Sequence, residues 1–445
     1  MTTNSMTQPG YHHEPDPPAV YIETYGCQMN KLDTEHVRSI LTAGGLSVTH
    51  DITTADVILL NTCGVRENAE QRIFGRLGEL HALKVSRPGI IFGIIGCMAQ
   101  RIGKALVNRD VRVVVGPDAY RELPGLIRRA ALRPVIDVRL DQGETYEGIS
   151  PFRESPKSAW VAVMRGCNNF CSYCIVPFTR GRERSVTASR IIAEIEGLVS
   201  GGWREVTLLG QNVAAYRDGE TDFAGLLRQV AKTGMPWVRF LTSHPKDLSD
   251  EILEVMAAHG NVCNHLHLPL QSGSDEVLGA MNRGYTVDRY RSVIDRARSL
   301  VPGISITTDL LFGFPGESEA DFQTTLRVME NIRFDFAFLY RYSERTGTRA
   351  AGLAGAVPGE IRIARLSEAI ALQNAISREK NRERIGTETV VLVKDRSKDG
   401  RGWYGFSEAN IPVVLTSPEK PVDIGSFVTV TVESTTGASL VGTVK

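Results

Sequence analysis

The sequence predicts an α/β protein in three parts: an open parallel sheet with helices on both faces, then a partial β/α barrel, then a small all-β barrel. Three observations carry this. Residues 20–132 alternate nearly continuous apolar strands with helices, the pattern of a parallel sheet buried on both sides. Residues 159–345 repeat the alternation six times on a larger scale. Beyond residue 384 the helical period stops, and short strands broken by Gly, Pro, Asp and Ser take over.

The elements follow in order. Residues 1–19 are polar and Pro-rich, read as a disordered tail without the apolar core of a secretory signal. AVYIETYGC is the first strand, and NKLDTEHVRSILTAGG is a helix closed by glycines. ADVILLNTC is the second strand, followed by a charged helix from about Arg66 to Val85. GIIFGIIGC and VRVVVGPD continue the sheet, and a helix at Arg121–Ala131 ends this part at residue 132. Residues 133–158 are rich in turn and charged residues and read as a linker.

The barrel is placed at 159–380, with strands at Trp160–Arg165, Glu205–Gly210, Trp237–Thr242, Val262–Pro269, Ile304–Phe312 and Phe334–Tyr340. Between the fourth and fifth of these strands Val287, Tyr290, Ile294, Ala297 and Val301 fall on one helical face. Residues 381–445 form the β domain, with strands in TVVLVKD, PVVLTS, SFVTVTVES and SLVGTVK.

Composition excludes some function classes. Of 445 residues, 42% are hydrophobic and 23% charged, ordinary for a globular chain. Lys plus Arg equal Asp plus Glu at 51 each, so any nucleic-acid partner must rest on a local basic surface. The longest apolar stretches, Val57–Leu60 and Ile90–Cys97, are too short to span a bilayer. With no targeting segment visible, the expected compartment is the cytoplasm, where seven Cys point to metal binding or catalysis rather than disulfides.

Six of those Cys form two sets. Cys167, Cys171 and Cys174 lie in GCNNFCSYC, just after the first barrel strand. Thiolates are the natural ligands of iron–sulfur clusters. Three on one loop can hold three irons of a cubane and leave the fourth open to a small molecule. A structural zinc site is the alternative, but no fourth ligand or partner pair accompanies them. Cys27, Cys63 and Cys97 are far apart, yet each sits at the C-terminal end of a predicted parallel strand. Strand ends of such a sheet share one edge, so the three thiols can converge on a second cluster. Inert burial is the alternative for any one of them. Cys263 lies near the start of its strand, away from the barrel mouth, and has no cluster role in this reading.

CxxxCxxC with Tyr173 before its last Cys, at the end of the first strand of a β/α barrel, resembles the radical S-adenosylmethionine (SAM) enzymes. The resemblance implies that SAM chelates the open iron and is cleaved to a 5′-deoxyadenosyl radical. The strand ends LLGQN, TSHP, LPLQSG and FGFPGE would form the mouth. By resemblance Tyr173, Gln211, Asn212, Ser243, Gln271 and the Asp309–Gly313 segment line the SAM pocket. Ordinary turn chemistry explains each of them alone, and their shared location is the argument.

The three-part chain as a whole, from about Val20, resembles the methylthiotransferases. GCNNFCSYCIVPFTRGRERS, HLHLPLQSGSDEVLGAMNRGYT and TTDLLFGFPGE are similar to the branch acting on N6-dimethylallyladenosine beside the anticodon of tRNA. That branch implies two [4Fe-4S] clusters, with SAM as both methyl donor and radical source, and methylthiolation at adenine C2. It also implies tRNA, a flavodoxin- or ferredoxin-like electron donor and a sulfur donor as partners, no membrane, and a monomer. Arg180, Arg182 and Arg184, next to the cluster loop, are candidate phosphate contacts; a solvated charged face is the alternative. No protein general base is nominated. The last part resembles the RNA-binding TRAM domain, although from Ala409 onward it has only Lys420 and Lys445 as basic residues. YSERTGTRAA also departs from the family's proline-rich form. Related methylthiotransferases acting on threonylcarbamoyl-adenosine in tRNA or on a ribosomal-protein aspartate are the alternative targets. A non-enzymatic iron–sulfur protein is the alternative class.

Overall fold

Val57–Leu60 is apolar at every position, so as a strand it needs cover on both faces, and the computed structural model provides it. The structure describes residues 17–64, 67–107, 109–155, 157–397, 400, 402–416 and 422–445. Most of the expected tail therefore lies outside the described residues.

The N-terminal part is β1 (Ala19–Tyr25), α1 (Gln28–Ala43), β2 (Ser47–Thr49), β3 (Val57–Thr62), α2 (Glu67–Ser86), β4 (Ile91–Gly96), α3 (Cys97–Val107), β5 (Val113–Val115), α4 (Leu123–Ala130) and β6 (Val135–Asp137). Its sheet is parallel throughout, in the order β2-β1-β3-β4-β5-β6. One apolar cluster lies on each face. The expected linker needs correction here, because β6 falls inside 133–158 and extends the sheet. Tyr146 of the same stretch is buried, its hydroxyl donating to the Pro117 carbonyl at 2.7 Å. A three-residue strand between turn-rich flanks leaves too short a period to read from sequence.

The central part begins with β7 (Ser158–Ala162) and β8 (Met164–Arg165). It continues through α5 (Val176–Thr179), β9 (Arg184–Ser185), α6 (Ala188–Ser200), β10 (Glu205–Leu209) and a small hairpin of β11 (Arg217–Asp218) and β12 (Thr221–Asp222). Then come α7 (Phe223–Ala231), β13 (Trp237–Phe240), α8 (Asp250–Ala258), β14 (His265–His267), α9 (Asp275–Ala280), α10 (Val287–Leu300), β15 (Ser305–Phe312), α11 (Glu319–Ile332), β16 (Phe336–Arg341) and α12 (Gly359–Arg382). Two parallel sheets, β7-β10-β13 and β14-β15-β16, are joined by a Val238–Val262 bridge. This is the expected partial barrel, with β7 and β16 at its edges. Ala159, Val161, Val206, Leu208, Ile306 and Leu310 face the helices and form the main core. Alternate residues face inward.

The third part is a closed barrel of β17 (Glu388–Arg396), β18 (Trp403–Ser407), β19 (Pro412–Thr416), β20 (Phe427–Thr435) and β21 (Leu440–Val444), in the order β17-β18-β19-β21-β20. It docks where the central strands begin. Arg239 donates to the Ser407 and Glu408 carbonyls, Lys394 bonds Glu205, and Trp237 meets Phe427 edge to face. Cys263 is buried in that contact with Leu392, which explains it without a ligand role. Among the described residues no helix is long and apolar enough to cross a membrane.

Candidate active site

The ends of three adjacent strands bring the first cysteine set together. Tyr25 pairs with Thr62, and Thr62 with Gly96. Cys63 and Cys97 are each the next residue after that aligned row, and Cys27 is the second residue after it. A polar net fixes the turn. Asn30 Oδ1 accepts from the Cys27 amide at 3.3 Å, and Asn61 Nδ2 donates to the Asn30 carbonyl at 2.7 Å. Cys63 and Cys97 are buried, and Cys27 packs against a small apolar cluster of Met29, Leu32 and Leu209 that is also met by Trp160, Ala162 and Leu241. The last three side chains belong to the inner side of the central barrel, so this set stands over the barrel mouth.

The second set hangs on a loop closed by the β8–β9 pair, Met164 with Ser185 and Arg165 with Arg184. Gly166 is required at its base. Its φ is +76°, and a Cβ there would lie 1.9 Å from the Arg182 carbonyl oxygen. Ser172 anchors the middle, its amide donating to the Met281 carbonyl at 2.9 Å and its hydroxyl to the Ala280 carbonyl at 2.8 Å. Arg283 is buried and donates to Cys171 Sγ at 3.2 Å, to the Pro269 carbonyl at 2.9 Å and to the Tyr285 hydroxyl at 3.0 Å. Sequence reasoning passed over Arg283, although it stands inside MNRGYT, because a lone Arg does not reveal its acceptor.

Arg180 and Arg184 need correction. Arg180 is buried, donating to Asp33 Oδ2 at 2.7 Å and to Cys97 Sγ at 3.2 Å. Arg184 pairs with buried Asp118 and donates to the Glu144 carbonyl at 2.7 Å. Both fasten the barrel loop to the N-terminal part and are not available to a phosphate. Arg165 joins them by pairing with Asp33. Burial alone would raise the Asp33 pKa, but Arg180 and Arg165 outweigh it and hold the carboxyl below its ordinary range. Arg182 is the exposed member, its guanidinium 4.2 Å from the centre of the Phe170 ring.

The mouth residues fall at the C-terminal ends of successive strands, as TIM-like architecture requires. Gln211 follows β10 and accepts the Gly166 amide at 2.5 Å, tying this strand end to the cluster loop. Asn212 is buried and spent on structure, bonding Asp247 Oδ2 at 2.7 Å and the His244 amide at 2.9 Å. Ser243 follows β13 with its hydroxyl buried and without a partner. Gln271 has φ +73° and exchanges backbone bonds with Asp309 and Leu311. Asp309 is half-buried on β15, 3.6 Å from His267 Nε2. The Gly313 amide donates to Glu317, which Arg365 of α12 clamps at 2.7 Å. Tyr173 packs beside Phe314 and Tyr342. Burial first, then Arg283 and Lys246, push His244 down to about 2, so it is neutral and no proton donor at ordinary pH. Burial likewise holds His265 well below its usual value.

The donor chemistry fits iron–sulfur clusters. Each set offers three thiols, none is disulfide-bonded, and each has a buried guanidinium against one sulfur. Burial pushes Cys167 up to about 11 and Cys174 to about 12, so uptake of iron must displace their protons.

Comparison with known proteins gives the family. Residues 161–329 match the Radical SAM superfamily, and residues 19–116 match the Uncharacterized protein family UPF0004. The chain is 45% identical over 434 residues to the tRNA-2-methylthio-N(6)-dimethylallyladenosine synthase of Azobacteroides pseudotrichonymphae, covering 95% of this chain and 96% of that one. It is 46% identical to the protein of the same name from Bacteroides thetaiotaomicron, with 95% of each chain covered. Among solved structures it is similar to the radical S-adenosylmethionine methyltransferase TsrM of Kitasatospora setae, at TM-score 0.55 and 15% identity, over 75% of this chain and 77% of that one. That likeness concerns the fold alone.

Proposed function

The chain belongs to the tRNA-2-methylthio-N(6)-dimethylallyladenosine synthases, and from that premise we propose how its own residues divide the work. It is a radical SAM enzyme that adds a methylthio group to N6-dimethylallyladenosine in tRNA, with a [4Fe-4S] cluster and SAM as cofactors. In this reading Cys167, Cys171 and Cys174 hold the SAM-binding cluster, and Cys27, Cys63 and Cys97 hold a second. When bound, the first supplies the electron that cleaves SAM to a carbon radical, and the second carries the sulfur. The observation that carries the division is the one apolar cluster of Met29, Leu32 and Leu209 against which both Cys27 and the inner barrel side chains Trp160, Ala162 and Leu241 pack, over the mouth that the other loop borders.

The protein's part is placement and exclusion. Tyr173, Gln211, Ser243, Gln271, Asp309 and Gly313 bound the proposed SAM pocket, while Asn212 braces it. The unpartnered Ser243 hydroxyl is a ready polar contact for that ligand. No proton-transfer residue is needed, because the C2–H bond is broken by a radical. The RNA enters where the inner wall is open. Phe336 and Phe338 are 43% and 44% exposed on edge strand β16, in register with Thr307 and Asp309. His267 meets Phe338 edge to face. Exposed aromatic rings beside a catalytic mouth suit an unstacked loop base and its apolar N6 substituent. Arg182 with Phe170 would add contact near the cluster loop. A cytoplasmic monomer served by a flavodoxin- or ferredoxin-like donor and a separate sulfur donor completes the reading.

The test offers reconstituted enzyme, SAM and reductant three substrates separately: tRNA carrying dimethylallyladenosine, tRNA carrying threonylcarbamoyl-adenosine, and a small-subunit ribosomal protein. Mass spectrometry should find a methylthio product with the first alone. Modification of either other substrate at a comparable rate would reassign the target.

A further inference from the structure

We propose that Arg180 is a positioning residue that couples the two cysteine sets, locking the second set against the SAM-cluster loop and tuning its charge. The inference rests on the two-cluster reading above.

The placement is unusual for a cation. Arg180 caps α5, six residues after Cys174, and its amide donates to the Val176 carbonyl at 2.8 Å, so its backbone belongs to the SAM-cluster loop. Its side chain leaves that loop and grips the N-terminal part at two points, Asp33 at 2.7 Å and Cys97 Sγ at 3.2 Å. Helix α3, which begins at Cys97, packs on α5 at the same place. Arg283 performs the matching contact to Cys171 but stays within the central part. Arg180 alone of the two crosses between parts, and of the arginines at this junction it is the one bonded to a cysteine of the second set, so motion of one set reaches the other partly through its rigid planar group.

Charge points the same way. Among the described residues, the buried side chains of Arg165, Arg180 and Arg184 are paired here with two buried carboxylates, Asp33 and Asp118, and Asp33 serves two of the three. Buried cations need compensation. In addition, Arg180 Nη1 is buried with no hydrogen-bond partner. The shortage is one negative charge, located beside Cys97 and Cys27. Thiolates holding a cluster supply negative charge at that spot. Hydrogen bonds to cluster sulfurs and nearby charge are established levers on reduction potential. The guanidinium therefore favours the reduced, more negative form of the second cluster.

Two readouts test this in Arg180→Gln and Arg180→Lys. The first is the potential and electron paramagnetic resonance signal of the second cluster, measured in a background of Cys167→Ala, Cys171→Ala and Cys174→Ala. Arg180→Gln should shift the reduced-to-oxidised ratio at fixed poise at least tenfold toward oxidised, about 59 mV more negative for one electron. The second is methylthio nucleoside formed per 5′-deoxyadenosine with all cysteines intact, which should fall at least tenfold. Arg180→Lys keeps the charge but cannot fork between Asp33 and Cys97, so its potential should move less while its product ratio still falls. If Arg180→Gln does not fold, Arg180→Lys decides. Wild-type potential and product ratio in either soluble variant overturns the proposal, whatever happens to thermal stability. If the triple cysteine background with native Arg180 holds no iron, the two-cluster reading itself has failed, and this inference falls with it.

Discussion

Glu205→Gln should loosen the C-terminal barrel from the rest of the chain. The Glu205 carboxylate is buried between two cations, 2.8 Å from Arg239 Nε and 2.6 Å from Lys394 Nζ. Arg239 in turn donates to the Ser407 and Glu408 carbonyls at 2.8 and 2.7 Å, so one carboxylate holds both sides of the contact. Removing its charge leaves Arg239 buried without a counterion. Breaking a buried pair from one side costs about 3–5 kcal/mol. At about 1.4 kcal/mol per decade, the opening equilibrium should rise by roughly two to three and a half decades. Native-state hydrogen exchange with peptide resolution reads this directly. Peptides from β17 and β18 should lose protection, while peptides from β3 and β4 should not. Exchange in β17 and β18 within about threefold of wild type would refute the pairing argument, since such a change is far below the cost of an uncompensated buried charge.

Further outcomes follow from the same structure. Burial alone would raise the Glu205 pKa, but Arg239 and Lys394 outweigh it and lower it, so its contribution is fully present above the unfolded value and is lost as pH falls through the lower folded one. Fluorescence of a variant retaining Trp237 as its sole Trp should report undocking from Phe427 below the ordinary carboxylate range, and Glu205→Gln should abolish that acid step. Gly166→Ala should empty the SAM-cluster loop, because its Cβ would strike the Arg182 carbonyl; iron content after reconstitution should drop by one cluster, and undiminished iron would contradict the loop geometry. Phe338→Ala should weaken binding of an anticodon stem-loop by about 1–3 kcal/mol, the range for one lost stacking contact. Affinity within twofold of wild type would remove β16 from the RNA path.

The cysteine framework was legible because each feature is local. CxxxCxxC is a contiguous motif, and Cys27, Cys63 and Cys97 each sit at the end of a predicted strand, just before a helix. What was hidden is long-range pairing. TRGRER reads as a basic surface, yet the partners of Arg180 and Arg184 are Asp33 and Asp118, far upstream and unremarkable on helical or turn patterning alone. The same holds for Arg283, whose acceptor is a cysteine 112 positions earlier. The strand at Val135–Asp137 was missed because three residues carry no period. The docking of the C-terminal barrel through Glu205, Arg239 and Lys394 has no signature in any one segment, since each residue alone is an ordinary strand charge.

The central claim is that two cysteine sets hold two clusters with separate work at one mouth. Anaerobically reconstituted wild type, Cys27→Ala and Cys171→Ala should be compared for iron content, 5′-deoxyadenosine and methylthio nucleoside on dimethylallyl-modified tRNA. Wild type should make both products. Cys171→Ala should make neither, and Cys27→Ala should make deoxyadenosine without the methylthio nucleoside. Methylthio nucleoside at the wild-type rate from Cys27→Ala would contradict the account, because the set over the barrel mouth would then have no part in supplying sulfur.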